Sequence, residues 1–316
     1  MMRSSLNRRM AWHTALLATA VLVSTATLSG CGRGTPAVDP GYLAHIEAWR
    51  AERLASLTSD DGWLTVVGLF WLHSGENRFG ADPGNEVVLP GKGTPAVAGT
   101  LELRQDGTVL LHPGPGTGVT LAGSPATEQV LASDRRGRPD VLAAGAVRFY
   151  LIERGGKLAV RVKDLHSARR VGFAGIRYFP VDPEYRVEGT FEPYPTPREV
   201  AVATVQGPEQ KMLAPGLVRF RLGGNSLALE PFLSSPDDTS FFFVFRDATS
   251  GTETYGAGRF LDTPVPKAPS TAVALDFNKA YSPPCAFTPY ATCPLPPRQN
   301  ELPVRIEAGE KFGPGH

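Results

Sequence analysis

Apolar positions along this chain follow two periods. Leu43, Ile46, Trp49 or Arg50, Leu54 and Leu57 recur at helical spacing with Glu47 and Glu52 among the polar positions, which predicts one amphipathic helix. Asp39-Pro40 supplies a carboxylate cap followed by a proline with preset φ, and Asp60-Asp61-Gly62 supplies a stop. From Trp63 onward the runs are short, β-branched or aromatic, and broken by glycine turns. WLTVVGLFWL (63–72), NEVVLP (85–90), GTLEL (99–103), GTVLLHP (107–113) and GVTLAG (118–123) each read as a strand. AVRFYLIERGGKLAVRVKD (146–164) reads as a hairpin turning at Gly155-Gly156. After an aperiodic stretch, 169–183, strands resume at 185–193, 198–205, 217–222, 226–232 and 240–247. The last is expected to turn through Ala248–Gly251 into a return strand, TETYGAGRFL (252–261), with a further strand ending at Phe277.

So many short strands at close spacing predict a mainly β chain, with two sandwich- or barrel-like units and one N-terminal helix. The organisation read from the chain is a leader at 1–30, a tether at 31–40, the helix with a first β unit at 41–168, and a second β unit at 169–316. The 34 glycines and 29 prolines among 316 residues fit a turn-rich chain, and the 42% hydrophobic content suffices for a core without staples.

The first 31 residues change the picture of location. Arg3, Arg8 and Arg9 precede an apolar run at Ala15–Thr27, which ends in Leu28-Ser29-Gly30-Cys31. This is the layout of a secretory signal, too short for a permanent span. Its last four residues resemble a bacterial lipobox, which implies acylation of Cys31 and an envelope protein held on a bilayer surface. Gly32 after the cysteine favours the outer membrane where a host has one. Removing the three leader arginines from 32 basic residues leaves 29 against 31 acidic ones. With no basic run left, nucleic acid is not an expected partner. Cys285 and Cys293 are then the remaining thiols, and in an oxidising compartment an isolated pair reads as a disulfide. No metal site is expected, because the one histidine within 100 residues of them is His316.

Candidate chemistry concentrates in Leu275–Glu310. If 252–261 is a strand, alternation puts Tyr255, Ala257 and Arg259 on one face and Gly256 and Gly258 on the other. The glycines would let Leu275–Phe277 approach, so Tyr255, Arg259, Asp276, Asn278 and Tyr281 become the expected ligand-binding set. The competing reading is structural, with Arg259 paired to Asp276 or Asp262. A second charged set is Arg161, Asp164, Arg177, Asp182 and Arg186, for which structural pairing is the expectation. Carboxylate hydrolysis could draw on Asp276, Glu301, Glu307 and Glu310. No nucleophile elbow is present, since Gly224-Asn225-Ser226-Leu227-Ala228 lacks the final glycine. Gly114-Pro115-Gly116-Thr117-Gly118 lacks the Gly-Lys-Ser/Thr of a phosphate loop. His45, His73, His112 and His166 lie far from Leu275–Glu310 in sequence. No cofactor is expected.

Two resemblances follow from these motifs. Gly80, Asn85 and Leu89-Pro90 with the glycine turns after them faintly resemble a forkhead-associated sandwich, without that family's phosphothreonine-reading Arg or its Ser-x-x-His. More specifically, Gly62-Trp63-Leu64, Gly68-Leu69-Phe70-Trp71-Leu72, Arg161…Asp164, Tyr178-Phe179-Pro180, Tyr185-Arg186, Thr254-Tyr255-Gly256-Ala257-Gly258-Arg259, Leu275-Asp276-Phe277-Asn278-Lys279-Ala280-Tyr281 and Cys293-Pro294-Leu295-Pro296-Pro297 are similar to one bacterial family, domain of unknown function 1684. Ser282 departs from the asparagine of that pattern. The family implies no activity. The expected function is therefore an envelope lipoprotein binding a small or glycan-like ligand in its second β unit, with a carboxylate hydrolase or an anchored scaffold as alternatives.

Overall fold

The computed structural model describes residues 38–312. The leader, Cys31 and most of the tether lie outside the described residues.

The helix runs Pro40–Thr58, and the Asp39 carboxylate accepts from the Tyr42 amide at 2.8 Å, as its cap sequence predicts. Its docking face differs from the apolar stripe. Ile46 and Leu57 are buried, whereas Leu43 and Leu54 are exposed. Tyr42, Arg50 and Arg53 fill the same face, reaching Asp276, Phe179 O and Glu310. Long arginine stems can cover apolar surface while their heads find acceptors, so a stripe read from apolar residues alone rotates the helix away from its true face.

Two sheets built from residues 66–164 follow. One orders six strands as Val66–Trp71, Lys157–Asp164, Val147–Arg154, Leu142–Ala144, Thr120–Leu121 and Ser124–Pro125. The other orders Val87–Val88, Gly75–Gly80, Gly99–Leu103, Val109–Pro113 and Gln129–Leu131. Their inner faces share one core, in which Phe79, Leu101 and Leu111 meet Phe149, Val160 and Val162. The Phe79 and Phe149 rings sit 5.2 Å apart. The expected hairpin forms in full register, with Arg154 opposite Lys157 and positive φ at both Gly155 and Gly156, as a two-residue turn between right-twisted strands requires. Strand Gly75–Gly80 escaped the sequence reading because GENRFG is mostly polar; its hidden members are Asn77 and Phe79, and Asn77 donates to three backbone carbonyls.

Residues 186–276 build a four-stranded sheet ordered Asn225–Leu229, Gln210–Leu222, Arg186–Val202 and Ala272–Asp276. What reads as two strands at 185–193 and 198–205 is one long strand with a register break between Pro193 and Arg198. Pro193, Pro195 and Pro197 cannot donate to the ladder, so the strand bends there without ending. Ser240–Phe245 pairs with Arg259–Pro264, and Phe220, Phe243, Phe245, Leu275, Phe277 and Ile306 fill the core beneath.

The return strand is the main correction. It begins at Arg259, not Thr252. Residues 247–258 make nested turns in which the amides of Thr252, Glu253 and Thr254 all point to Thr249 O. Leu275 and Asp276 pair with Val187 and Arg186, not with the glycines at 256 and 258. Tyr255 and Arg259 therefore do not share a strand face, since Tyr255 lies in the turns before the strand. The chain ends in a clasp of three-residue helical turns at Phe277–Lys279, Pro284–Ala286 and Arg298–Asn300, and Glu310–Lys311 pairs with Arg177–Tyr178. Among the described residues no helix is long and apolar enough to cross a membrane.

Candidate functional site

The five residues expected to share a site are distributed over separate braces. Arg259 is fully buried. Its Nη2 donates to Asp247 Oδ2 at 2.7 Å and to Ile306 O at 2.9 Å, and its Nη1 donates to Ala308 O. Asp247 in turn accepts from the Thr249 amide at 2.8 Å and the Thr249 hydroxyl at 2.6 Å. Burial pulls the Arg259 pKa down while Asp247 holds its charge in place. The guanidinium thus ties the clasp backbone at 306–308 to the turn at 247–249. Neither expected partner, Asp276 or Asp262, touches it.

Asp276 and Asn278 belong to a second brace. Tyr42 of the helix donates to Asp276 Oδ1 at 2.8 Å, and Asn278 Nδ2 donates to the Tyr42 hydroxyl at 3.0 Å. Asn278 also closes a two-way contact with the backbone of Asp182, at 3.0 and 2.8 Å. These side chains are spent holding the helix and the 169–183 segment against the clasp.

Tyr281 forms a third brace by donating to Asp262 Oδ2 at 2.7 Å. Arg53 lies over its ring at 4.8 Å and bonds Glu310 at 2.9 Å and Ser282 O at 2.9 Å. Partial burial pushes the Asp262 carboxyl up, against the opposing hydrogen bond from Tyr281, and burial pushes the Tyr281 phenol far above its usual value. Glu310, one of the hydrolase candidates, is buried and accepts from the Ser282 amide at 2.7 Å.

Tyr255 stands apart again, donating to Cys285 O at 3.0 Å. Cys285 and Cys293 are free thiols in this structure, not the disulfide expected from sequence. They sit side by side, with the Cys285 amide 3.3 Å from Cys293 Sγ. Hydrogen bonding from Cys293 lowers the Cys285 thiol pKa, and the same contact with burial raises that of Cys293.

In the second charged set, no member forms an ion pair with another among the described residues. Asp164 caps the His166 amide at 2.8 Å, Arg186 lies over the Tyr42 ring at 5.1 Å, and Arg161 is buried.

Open space lies elsewhere, in a groove of about 1350 Å³ at one end of the first pair of sheets. Its walls come from the segment after Val66–Trp71, the Leu103–Val109 turn, the end of Gln129–Leu131 and the Gly156–Leu158 turn, with Gly207-Pro208 reaching in from the second half. Gly207 has φ +104°, and a Cβ there would stand 2.7 Å from Trp71 Cζ2. Glycine is therefore what lets this loop lie against the indole. Asp106 at the rim is held below the usual carboxylate range by bonds from the Thr108 hydroxyl and amide. Lys157 forms no ion pair among the described residues, while Arg135 bonds Glu153 at 2.7 Å. The groove is hidden from the sequence because its walls come from five separate segments; the one local sign is Trp71 beside the polar run His73-Ser74.

The fold and these braces define a mainly β protein of packed sheets, closed by a proline-rich clasp and tied to its N-terminal helix by side chains. The family model described as "Protein of unknown function (DUF1684)" matches residues 171–311, and the chain belongs to this family. An uncharacterised protein of Haloarcula marismortui, known from a solution NMR structure, is 36% identical; the match covers 46% of this chain and 81% of that one, with a TM-score of 0.41. No curated protein matches.

Proposed function

We propose that this chain is a lipid-anchored envelope protein that binds a small glycan-like ligand in the groove beside Trp71. The signal-like leader and the lipobox-like Leu-Ser-Gly-Cys support acylation at Cys31, with Gly32 favouring the outer membrane. In that oxidising compartment the adjacent thiols of Cys285 and Cys293 would close to a disulfide that braces the clasp.

The observation that carries the ligand reading is the groove itself. It offers about 1350 Å³ of space beside a half-buried indole, with the Asp106 carboxylate and a lysine that forms no ion pair among the described residues on its walls. Sugars are recognised by this combination of an aromatic surface and polar groups that take hydroxyls. The set Tyr255, Arg259, Asp276, Asn278 and Tyr281 serves instead to brace the C-terminal half. The test is calorimetric titration of the detergent-solubilised lipoprotein with soluble peptidoglycan and polysaccharide fragments. Lys157→Ala and Arg104→Ala, the latter on the 103–109 wall of the groove, should each weaken binding at least tenfold without changing the melting temperature. If the unmodified protein takes up no saccharide, the anchored-scaffold alternative stands.

A further inference from the structure

Among the described residues two arginines are buried, and they are satisfied very differently. Arg259 has a buried carboxylate and two carbonyls as acceptors, and its Nε alone lacks a partner. Arg161, 5% exposed, forms no ion pair among the described residues. Both its Nε and its Nη2 are buried without a partner. Its help comes from the Tyr150 side chain, which stands opposite it in the sheet, and from the charge of Asp134, which forms no ion pair with it.

The placement of this side chain follows from strand alternation. Val160 and Val162 point into the core between the two sheets, so Arg161 points to the opposite face, with Leu69 and Tyr150 as its lateral neighbours. The clasp covers that face. Tyr290 packs there against Leu69, Ile152 and Ala159, and the Arg161 charge reaches the Cys293 thiol. Trp63 lies 4.8 Å from Arg161 Cζ and covers one flat side of the guanidinium. The neighbouring cation on the same face, Lys163, has what Arg161 lacks: Nζ reaches Asp61 O at 2.9 Å and Asp61 Oδ1 at 3.3 Å.

The identity of the two unpartnered atoms is informative. In a planar guanidinium the Nε–H and Nη2–H bonds lie nearly parallel along one edge. That edge is the fork that receives the two oxygens of a carboxylate, or two oxygens of a phosphate or sulfate. A buried cation without a counter-ion costs several kcal/mol, and an unmade bond on each N–H adds to this. One bidentate anion would relieve all of it together.

We propose that the Nε/Nη2 edge of Arg161 is a binding site for a small carboxylate or oxyanion, roofed by Trp63 and walled by the Cys285–Cys293 segment of the clasp. The site is separate from the groove residues Lys157 and Arg104, so their variants leave it intact.

The experiment titrates the detergent-solubilised protein with sodium acetate and, separately, sodium phosphate at constant ionic strength. Two readouts are followed: the melting temperature, and the Arg161 Nε–H resonance in arginine-¹⁵N-labelled protein. The wild type should show a saturable rise in melting temperature and a saturable shift of that resonance, and the anion that saturates at lower concentration identifies the preferred class. Arg161→Lys keeps the charge but loses the fork and should bind at least tenfold more weakly. Arg161→Met should abolish the titration and melt above the wild type in anion-free buffer, because the uncompensated charge is gone. A resonance that neither anion moves would show water alone at the edge and overturn the proposal, whether or not the variants fold. An undiminished titration in Arg161→Met would overturn it as well.

Discussion

Replacing Arg259 with methionine separates a brace from a ligand-binding residue more sharply than any other change. Methionine keeps most of the volume and removes the charge. The loss includes the 2.7 Å ion pair with Asp247 and the bonds to the carbonyls of Ile306 and Ala308, all in a fully buried setting. Removing one partner of a buried pair costs about 3–5 kcal/mol, since the other charge is left uncompensated. Asp247 would still accept from the Thr249 amide and hydroxyl, which places Arg259→Met near the lower end, about 3 kcal/mol. The assay is urea unfolding, with a constant m-value confirming that the change is one of stability. Asp247→Asn in the same background should recover part of the loss, because it removes the stranded charge while its side-chain oxygen can still accept from Thr249. Hydrogen exchange of the 306–308 amides should accelerate in the single variant. A loss under about 1 kcal/mol, or a double variant as unstable as the two singles summed, would refute the brace and reopen a ligand role for Arg259.

Two further outcomes follow from particular residues. Gly258 has φ +99°, and a Cβ there would lie 2.5 Å from Phe245 O, so Gly258→Ala should destabilise by about 2–3 kcal/mol or more. Gly156, with φ +75° and open space around it, should lose only about 1 kcal/mol on the same change; equal losses in thermal unfolding would contradict the packing argument. Burial raises the phenols of Tyr42, Tyr178, Tyr255 and Tyr281 well above their usual value. Unfolded tyrosines ionise near pH 10, so above that the unfolded state binds fewer protons, and stability that is complete below about pH 10 is lost as pH rises. Urea midpoints from about pH 8 to 11.5 should fall, with tyrosinate absorbance appearing together with unfolding. Tyrosinate forming in the folded protein with an ordinary midpoint would rule this out.

How far the sequence reveals this protein depends on whether the determinant is local. The helix start is legible because a single cap, Asp39 to the Tyr42 amide, decides it. The 147–164 hairpin is legible because its Gly-Gly turn fixes the register. The helix docking face is not, since Arg50 and Arg53 find their acceptors at Phe179, Ser282 and Glu310, far along the chain. The expected site failed at one step, the extension of a strand back to Thr252. The sign against it was Asp247-Ala248-Thr249, where a carboxylate two residues before a threonine favours a closed turn over a strand. Once the chain turns there, Arg259 points inward and Tyr255 goes to the clasp. The orphaned edge of Arg161 could not be read at all, because a missing partner is a property of the folded surroundings.

Polar residues of the C-terminal half brace the fold, and the proposed ligand would enter the groove beside Trp71. Hydrogen–deuterium exchange of the protein, with and without soluble peptidoglycan fragments, tests this division most directly. Slowed exchange in the groove walls at 103–109, 130–133 and 156–158, with 255–259 and 276–281 unchanged, is the predicted result. Protection confined to 255–259 and 276–281 would contradict it.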